Sequence, residues 1–228
     1  MKILCVADHI DPLVYSVNAK ERFSSVELVI SAGDLPMEYL GFLSSILNKP
    51  VLFVFGNHNL QELHRFRKGV SPRTLPKLSP QLAPNMRHYF GSTYIGGRAT
   101  RINNLLIAGL GGSRKYNSGL NQFTEAQMFW NIVRMTPRLL WNRVVHGRYL
   151  DILLTHASPY DIGDRPDPCH RGFKVFRWFL QRFQPRYMLH GHIHLYDLNA
   201  KRIHKFHNTT IINVYDHFVL DTEETYEQ

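Results

Sequence analysis

Six short apolar runs, each followed at once by a small or polar cluster, constrain the fold of this chain more than any other feature. They are rich in Val, Ile and Leu and cover residues 3–7, 28–30, 51–55, 105–108, 152–154 and 187–189. Runs of this length and composition are typical of buried β-strands. Segments with a helical spacing of apolar residues lie between them, and the alternation of strands and helices predicts an α/β fold.

Four helices are predicted between and after these strands. They cover residues 38–47, 124–135, 137–145 and 173–183. Thr124 is a plausible N-cap for the second helix. We expect Pro137 to begin a separate helix, because proline is tolerated at the first helical position.

Composition is consistent with a single packed domain over residues 1–228. Hydrophobic residues make up 44% of the 228 residues and charged residues 20%, which disfavours disorder. One segment, at about residues 64–90, is rich in Arg, Lys and Pro and has little periodicity, so an irregular basic loop is predicted there.

The charge balance favours an anionic partner. Lys and Arg exceed Asp and Glu by nine, and this excess suits phosphate, nucleic acid or acidic lipid. The longest apolar runs are too short to cross a bilayer, and no signal-peptide cleavage site follows the first strand, so no membrane partner is expected. Two cysteines, Cys5 and Cys169, cannot form a disulfide framework, so the expected location is the cytoplasm.

Polar residues with metal-binding side chains follow the predicted strands. In open α/β sheets ligands bind at the carboxyl ends of strands, so residues far apart in sequence can converge there. Carboxylate, amide oxygen and imidazole are ligands for Mn, Fe, Zn or Ni, and cysteine is absent from the clusters, which excludes a structural zinc finger. The candidate ligands are Asp8, Asp34, Asn57, His156, His192 and His194.

The pair His192 and His194 points to more than one ion. Alternate residues of an extended chain lie on the same side about 6.6–7 Å apart, a span that suits ligands to two ions about 3.5–4 Å apart. A carboxylate between two such ions can bridge them, and Asp34 is the natural candidate.

In this order the motifs resemble those of the calcineurin-like metallophosphoesterase family, over nearly the whole chain. The matching segments are Asp8, Gly33-Asp34, Gly56-Asn57-His58, Thr155-His156 and Gly191-His192-Ile193-His194. The resemblance implies a four-layer αββα sandwich of two mixed sheets flanked by helices, with two divalent metal ions. It implies that Asp8, Asp34 and His194 hold the first ion. It assigns the second ion to Asp34, Asn57, His156 and His192, and makes His58 the catalytic histidine.

Later loops are similar to those of a bacterial subset of the family. The matches are Gly-Ser-Arg-x-Tyr at residues 112–116 and Asp-Arg-Pro-Asp-x-Cys-His at residues 164–170. They provide four substrate-binding candidates, Arg114, Tyr116, Arg165 and His170. An arginine at such a place suits a phosphate oxygen, although a surface cation or a loop hydrogen bond explains each residue about as well.

The chain departs from the family pattern at two positions. The family usually has Asp-x-His in its first motif, whereas Asp8 is followed here by His9 and then Ile10. Asp11 or water are the alternatives for the missing ligand, and the first metal site is expected to be weaker or more selective for Mn. The second departure is Asn59, where the family usually has Asp or Glu.

The resemblance implies hydrolysis of a phosphomonoester or phosphodiester by a metal-activated hydroxide, with His58 protonating the leaving oxygen. The expected substrate is a phosphorylated small molecule or a nucleotide. A nucleic-acid-binding protein or nuclease is the first alternative, suggested by the positive charge and by the aromatic and basic residues at 87–90. A metal-binding module without activity is the second, and the sequence predicts no oligomeric state.

Overall fold

A computed structural model describes residues 1–67, 86–197, 199–224 and 226 of the chain. The strands in these ranges are β1 Lys2–Ala7, β2 Val26–Ser31, β3 Val51–Phe53, β4 His88–Tyr89, β5 Ser92–Tyr94, β6 Arg98–Ile102, β7 Leu105–Leu110, β8 Ser113–Arg114, β9 Gln122–Phe123, β10 Ile152–Thr155, β11 Tyr187–His190, β12 Ile203–Phe206, β13 Thr209–Asn213 and β14 Asp216–Asp221. The helices are α1 Ala19–Arg22, α2 Met37–Leu47, α3 Leu63–Phe66, α4 Glu125–His146 and α5 Lys174–Phe183. All six predicted strands are present, and the third ends at Phe53.

The strands form two six-stranded mixed sheets. Sheet A has the order β14-β1-β2-β3-β5-β4 and sheet B the order β12-β13-β11-β10-β7-β6, while β8 and β9 pair separately. In sheet A the strands β1, β2, β3 and β5 are parallel, and β14 and β4 are antiparallel edges. In sheet B the strands β7, β10, β11 and β13 are parallel, with β6 and β12 as antiparallel edges.

Alternation of side chains along the strands places the two sheets face to face. In β1, Ile3 and Cys5 lie in the apolar cluster between the sheets, whereas Leu4 and Val6 pack towards helices α1 and α2. Sheet B alternates in the same way, and its outer face packs against α4 and α5. Because each fully buried aliphatic side chain stabilises the fold by about 1.5–3 kcal/mol, both faces of both sheets must be covered. The layers are therefore helix, sheet, sheet and helix, as the family resemblance implied.

The prediction of two helices around Pro137 is wrong. The structure has one continuous helix, α4, with Pro137 in its interior. Thr124 caps it: its side chain accepts a hydrogen bond from the N–H of Gln127 while the Gln127 side chain accepts one from the N–H of Thr124. The apolar residues that face sheet B continue through the proline without a break, and this packing outweighs the roughly 3 kcal/mol that an interior proline costs. These residues are Met128, Ile132, Met135 and Leu139.

The predicted irregular loop at residues 64–90 is regular at both ends. Helix α3 reaches Phe66, and strand β4 pairs with β5 from His88 onward. Its middle, residues 68–85, lies outside the described residues.

Among the described helices, none combines the length and the apolar composition that spanning a bilayer would require.

Candidate metal centre

The carboxyl ends of the central strands of both sheets meet at one edge of the sandwich. Asp34 follows β2 of sheet A, while His156 and His192 follow β10 and β11 of sheet B. Their ligand atoms all lie within 4.8 Å of one another, and all three residues are buried. The topology therefore brings Asp34 next to two histidines that follow it by more than one hundred residues.

His156 is the centre of this cluster. Its Nδ1 lies 2.8 Å from the carbonyl oxygen of Ala32, and because a carbonyl can only accept, Nδ1 carries the proton. Nε2 then faces two oxygens, Oδ1 of Asn57 at 3.1 Å and Oδ2 of Asp34 at 3.2 Å. An imidazole nitrogen, an amide oxygen and a carboxylate oxygen thus point at one another across the boundary between the sheets.

The electrostatics of this group favour a positive charge beside Asp34. Burial alone would lower the pKa of His156, but the Asp34 carboxylate beside it raises that pKa to about 9. Burial likewise opposes ionisation of Asp34, yet His156 and the His58 N–H lower its pKa to about 2. Without a cation, a proton on His156 balances the buried carboxylate. A divalent ion held by the same atoms would replace that proton.

Asn57 is oriented by a hydrogen bond on its other side. Its Nδ2 donates to the hydroxyl oxygen of Tyr116 at 3.4 Å, so its Oδ1 is directed at His156. The amide therefore presents oxygen, the atom that a divalent metal binds, to the cluster.

The imidazole of His192 is held in its neutral form. Its Nε2 donates to the carbonyl oxygen of Cys169 at 2.7 Å, which leaves the Nδ1 lone pair free. Burial lowers the pKa of His192 to about 3, so the ring is uncharged at neutral pH. A backbone partner that fixes the tautomer of a histidine is the usual support for a metal-binding imidazole.

Asp8 is fixed by the backbone of the opposite sheet. The N–H of His192 lies 3.0 and 2.9 Å from its two carboxylate oxygens. Burial raises the pKa of Asp8 to about 7. A buried carboxylate with a raised pKa gains from a nearby cation, which fits a place beside the cluster.

His194 lies at the more open side of the site. Its Nδ1 is 2.8 Å from the hydroxyl of Tyr196, its ring centre is 5.0 Å from that of Tyr215, and burial lowers its pKa. In the described part of the chain, neither Asp8 nor His194 belongs to a group of three His, Cys, Asp or Glu ligand atoms within 4.8 Å. The residues expected at the second metal are therefore close together, and those expected only at the first are not.

The residues around Ile10 do not replace the missing histidine. Ile10 packs against the apolar cluster between sheet A and its helices. Both oxygens of Asp11 are engaged, one with the Leu13 N–H at 2.8 Å and the other with His217 Nδ1 at 2.5 Å. The imidazole of His9 is exposed and pairs with Asp216 at 2.7 Å.

Three of the candidate ligands have unusual backbone conformations. Asp8, Asp34 and His192 have φ angles of 66°, 58° and 66°, in the left-handed region that non-glycine residues rarely adopt. Each conformation costs about 1–3 kcal/mol, and such strain clusters at functional sites. The sharp turns direct side chains at strand ends towards the cluster.

Two glycines make room for the carboxylates. A Cβ at Gly56 would lie 2.1 Å from Oδ1 of Asp34, and a Cβ at Gly191 would lie 2.4 Å from Oδ2 of Asp8. No larger residue fits either position without displacing a candidate ligand.

The histidine expected to be catalytic lies at the rim. The N–H of His58 donates to Oδ1 of Asp34 at 2.7 Å, and its side chain is exposed. The residue is thus tied to the cluster through its backbone while its imidazole faces solvent.

The four substrate-binding candidates differ in their contact with the site. Tyr116 contacts Asn57, as described above, and the guanidinium of Arg165 donates to the carbonyl oxygen of His194 at 2.7 Å. The ring of His170 lies 5.3 Å from that of His192. Arg114, on β8, has no hydrogen bond or ion pair to the cluster residues within the described ranges.

A second group of potential ligands is explained without a metal. Asp167, Cys169 and His170 bring their ligand atoms within 4.8 Å. Oδ1 of Asp167 accepts hydrogen bonds from the Cys169 thiol at 2.8 Å and from Nδ1 of His170 at 2.9 Å. The carboxylate thereby orders the loop that carries the Cys169 carbonyl to His192.

Sequence reasoning missed two asparagines that support the site. Nδ2 of Asn121 donates to the carbonyl oxygens of Phe55 at 3.1 Å and Gly56 at 2.6 Å, immediately before Asn57. Asn213 is buried and donates to the carbonyl of Ile193 at 2.7 Å, between the two histidines. Neither lies in a recognisable motif, because each acts through the backbone of a distant loop.

We predict that Asn121→Ala weakens the binding of Mn²⁺ by about 10–100-fold, because the loop that presents Asn57 loses its support. Isothermal titration of the metal-free protein measures this directly. Asn117→Ala is the matched control, since Asn117 bonds only to Gly119 and Gln122 of its own loop. Equal affinities in the two variants would contradict the positioning role of Asn121.

Comparison with known proteins agrees with the fold. Several solved structures resemble the chain, among them the following two. One is 12% identical to the chain with a TM-score of 0.59, and the matched region covers 94% of this chain and 90% of the other. The other, TT1561 of Thermus thermophilus, is 13% identical with a TM-score of 0.56. Here the matched region covers 94% of this chain and 89% of the other. These identities establish similarity of fold alone.

No curated protein was found to match the chain. A sequence model of the calcineurin-like phosphoesterases matches residues 1–196, a range that contains every candidate metal ligand. With that match and the four-layer fold, the chain belongs to the calcineurin-like phosphoesterase family.

Proposed function

We propose that this protein is a dinuclear metal-dependent phosphohydrolase that acts on a phosphomonoester or phosphodiester. Membership of the family supports a metal-dependent phosphoesterase in general. The observation that carries the finer proposal is the buried convergence of Asp34, His156 and His192, with Asn57 beside them. A charge-balancing divalent ion is the simplest reason to bury these groups against one another.

The donor set fits divalent ions of the Mn, Fe, Zn and Ni group. It combines imidazole nitrogens with carboxylate and amide oxygens, and no thiolate is aimed into it among the described residues. When bound, such ions neutralise the charge of phosphoryl oxygens and lower the pKa of coordinated water. Asp34, Asn57, His156 and His192 would hold one ion. Asp34, Asp8 and His194 would hold the other.

The residues of the rim would handle the substrate. His58 is exposed beside Asp34 and can donate a proton to the leaving oxygen. The cationic Arg165 and the neighbouring His170 lie on the loop that contacts His192 and His194, where they can neutralise a phosphoryl group. Tyr116, and Arg114 two residues before it, would border the cleft on the side of Asn57.

The proposed substrate is a phosphorylated small molecule or a nucleotide. The excess of nine positive charges suits any phosphate ester, so nucleic-acid diesters belong in the same substrate screen. A cytoplasmic setting is part of the proposal, supported by the free thiols of Cys5 and Cys169.

The direct test of this function is Asp34→Asn. An amide cannot supply two anionic oxygens to two cations, so we expect the loss of metal-dependent hydrolysis and of at least one bound ion. Metal analysis of the purified protein and a screen of mono- and diester substrates provide the two readouts.

Asp161→Asn is the matched control for metal content, because Asp161 is exposed, pairs with Arg177 at 3.6 Å and belongs to neither ligand group. It should keep the metal content of the wild type. Near-normal activity and two bound ions in Asp34→Asn would exclude the bridging role. Loss of metal in Asp167→Asn, but not in Asp34→Asn, would instead place the metal at the group of Asp167, Cys169 and His170.

The two ions should bind with unequal affinity. Ile10 cannot ligate, and Asp11 is engaged by Leu13 and His217, so the first site lacks a protein ligand. Titration of the metal-free protein with Mn²⁺ should resolve a tight and a weak step, and Ile10→His should strengthen the weak step alone. Ile10→Ala, which adds no ligand, serves as the control. Two equally tight steps in the unmodified protein would refute this expectation.

His58→Ala should retain both metals and lose about 10²–10⁴-fold in kcat, the usual contribution of a positioned acid. The loss should be smaller for p-nitrophenyl esters, whose leaving group needs little protonation. His64→Ala, which changes a histidine bonded only to its own turn, is the control. Loss of an ion in His58→Ala would instead identify a ligand, and equal losses on good and poor leaving groups would indicate substrate positioning.

A further inference from the structure

All three tryptophans of the chain lie on the outer surface of the helical layer that covers sheet B. Trp130 and Trp141 on α4 are each 58% exposed, and Trp178 on α5 is 42% exposed. Tryptophan is on average highly buried, because it carries a large apolar area. Three exposed tryptophans in one layer mark a surface with a function of its own.

Helix α4 has two apolar faces. One is the stripe that packs on sheet B, described above. The other face consists of Trp130, Pro137, Trp141 and Val144. Because these residues are spaced by seven, four and three along the helix, they share its solvent side. Val144 is 80% exposed there.

Neighbouring side chains widen this surface into a patch. The ring of Phe129 lies 5.6 Å from that of Trp178, which joins α4 to α5. We call the whole surface the outer face of α4; it comprises Phe129, Trp130, Leu140, Trp141, Val144 and Trp178.

The two helices that carry the patch are strongly basic. They contain six cations and one anion, a net charge of +5; the cations are Arg134, Arg138, Arg143, Lys174, Arg177 and Arg182. The single acid, Glu125, is occupied, since its carboxylate accepts the N–H groups of Lys174 at 2.9 Å and Val175 at 3.1 Å. Arg177 pairs with Asp161 at 3.6 Å, and the other five cations form no ion pair within the described residues.

Arginines surround the patch on more than one side. Arg134 and Arg138 are exposed on α4, and neither forms an ion pair within the described residues. At the far end of the helices the guanidinium groups of Arg143 and Arg182 both lie 5.7 Å from the ring centre of Tyr149. Neither guanidinium forms an ion pair within the described residues, so both positive charges are available to an anion.

We propose that the outer face of α4 docks on an anionic lipid bilayer. The helix would lie in the plane of the membrane interface, with its tryptophans at the acyl chains and its arginines at the headgroup phosphates. Tryptophan, aliphatic residues and arginine along one long helix form the composition that interfacial helices use.

Charge and side-chain type decide against other occupants. A second copy of the chain would bring these cations against each other, and the nearby acids Glu125 and Asp161 are already occupied. A nucleic acid would stack on the tryptophans but would leave Leu140 and Val144 without apolar partners. This surface therefore departs from the expectation, based on the sequence, that no membrane partner exists; docking needs no segment that crosses the bilayer.

The intrinsic fluorescence of the intact protein tests the proposal, because every tryptophan lies on the proposed surface. Vesicles of phosphatidylcholine mixed with phosphatidylglycerol should shift the emission to the blue, and brominated lipids should quench it. Vesicles of phosphatidylcholine alone should have a much smaller effect. An unchanged spectrum with anionic vesicles would overturn the proposal without any variant.

Two variants and a matched control locate the contact by vesicle sedimentation. Trp130→Ala with Trp141→Ala, and separately Arg134→Glu with Arg138→Glu, should each lower partitioning on the order of tenfold or more. Lys20→Glu with Arg22→Glu makes the same change in net charge on α1, in the opposite helical layer, and should keep most of the binding. Thermal unfolding checks that these exposed substitutions leave the fold intact.

Three results would contradict the proposal. The first is equal loss of partitioning in the patch variants and the α1 control. The second is a dimer of the wild type, measured by sedimentation, that the tryptophan double variant converts to monomer. The third is an oligonucleotide that binds this face while anionic vesicles do not.

Discussion

The contact between Asp34 and His156 is the interaction on which the rest of the site depends. It joins the carboxyl end of β2 in one sheet to that of β10 in the other, with 3.2 Å between Oδ2 and Nε2 and almost no exposure to solvent. Because burial opposes the charged form of each group, the pair is stable only when a positive charge is held between the sheets. In the protein without metal, a proton on His156 provides that charge. In the proposed function a divalent ion takes the place of that proton.

The four layers serve to hold that contact in place. The apolar cluster between the sheets fixes their separation, and the strand ends turn sharply at Asp8, Asp34 and His192, whose φ angles lie in the left-handed region. The strain of these turns is offset by the burial of both faces of each sheet. A rigid frame of this kind can hold candidate ligands from distant parts of the chain in position without a metal ion.

Much of this could be predicted from the sequence, for a definite reason. The buried strands are continuous apolar runs, and polar candidate residues follow five of the six runs, so a single pattern predicts both the strands and the candidate site. The family match over residues 1–196 confirms the resemblance to the calcineurin-like phosphoesterases that the motifs indicated. The assigned roles of the individual residues stay predictions.

What could not be predicted depends on contacts between segments that are distant in sequence. Pro137 was expected to start a helix, but the packing of Met135 and Leu139 on sheet B keeps α4 continuous. Asn121 supports the Asn57 loop through backbone carbonyl groups, and nothing in its local sequence indicates this. The exposure of Trp130 and Trp141 could not be predicted either, because helical spacing alone does not tell which apolar stripe faces the core.

The central claim is that the buried cluster is a metal site, and anomalous scattering from crystals of the protein grown with Mn²⁺ tests it most directly. The account predicts a strong peak bounded by Asp34 Oδ2, Asn57 Oδ1, His156 Nε2 and His192 Nδ1, with a weaker second peak beside Asp8 and His194. No peak at the cluster, or a peak only at Asp167, Cys169 and His170, would contradict it.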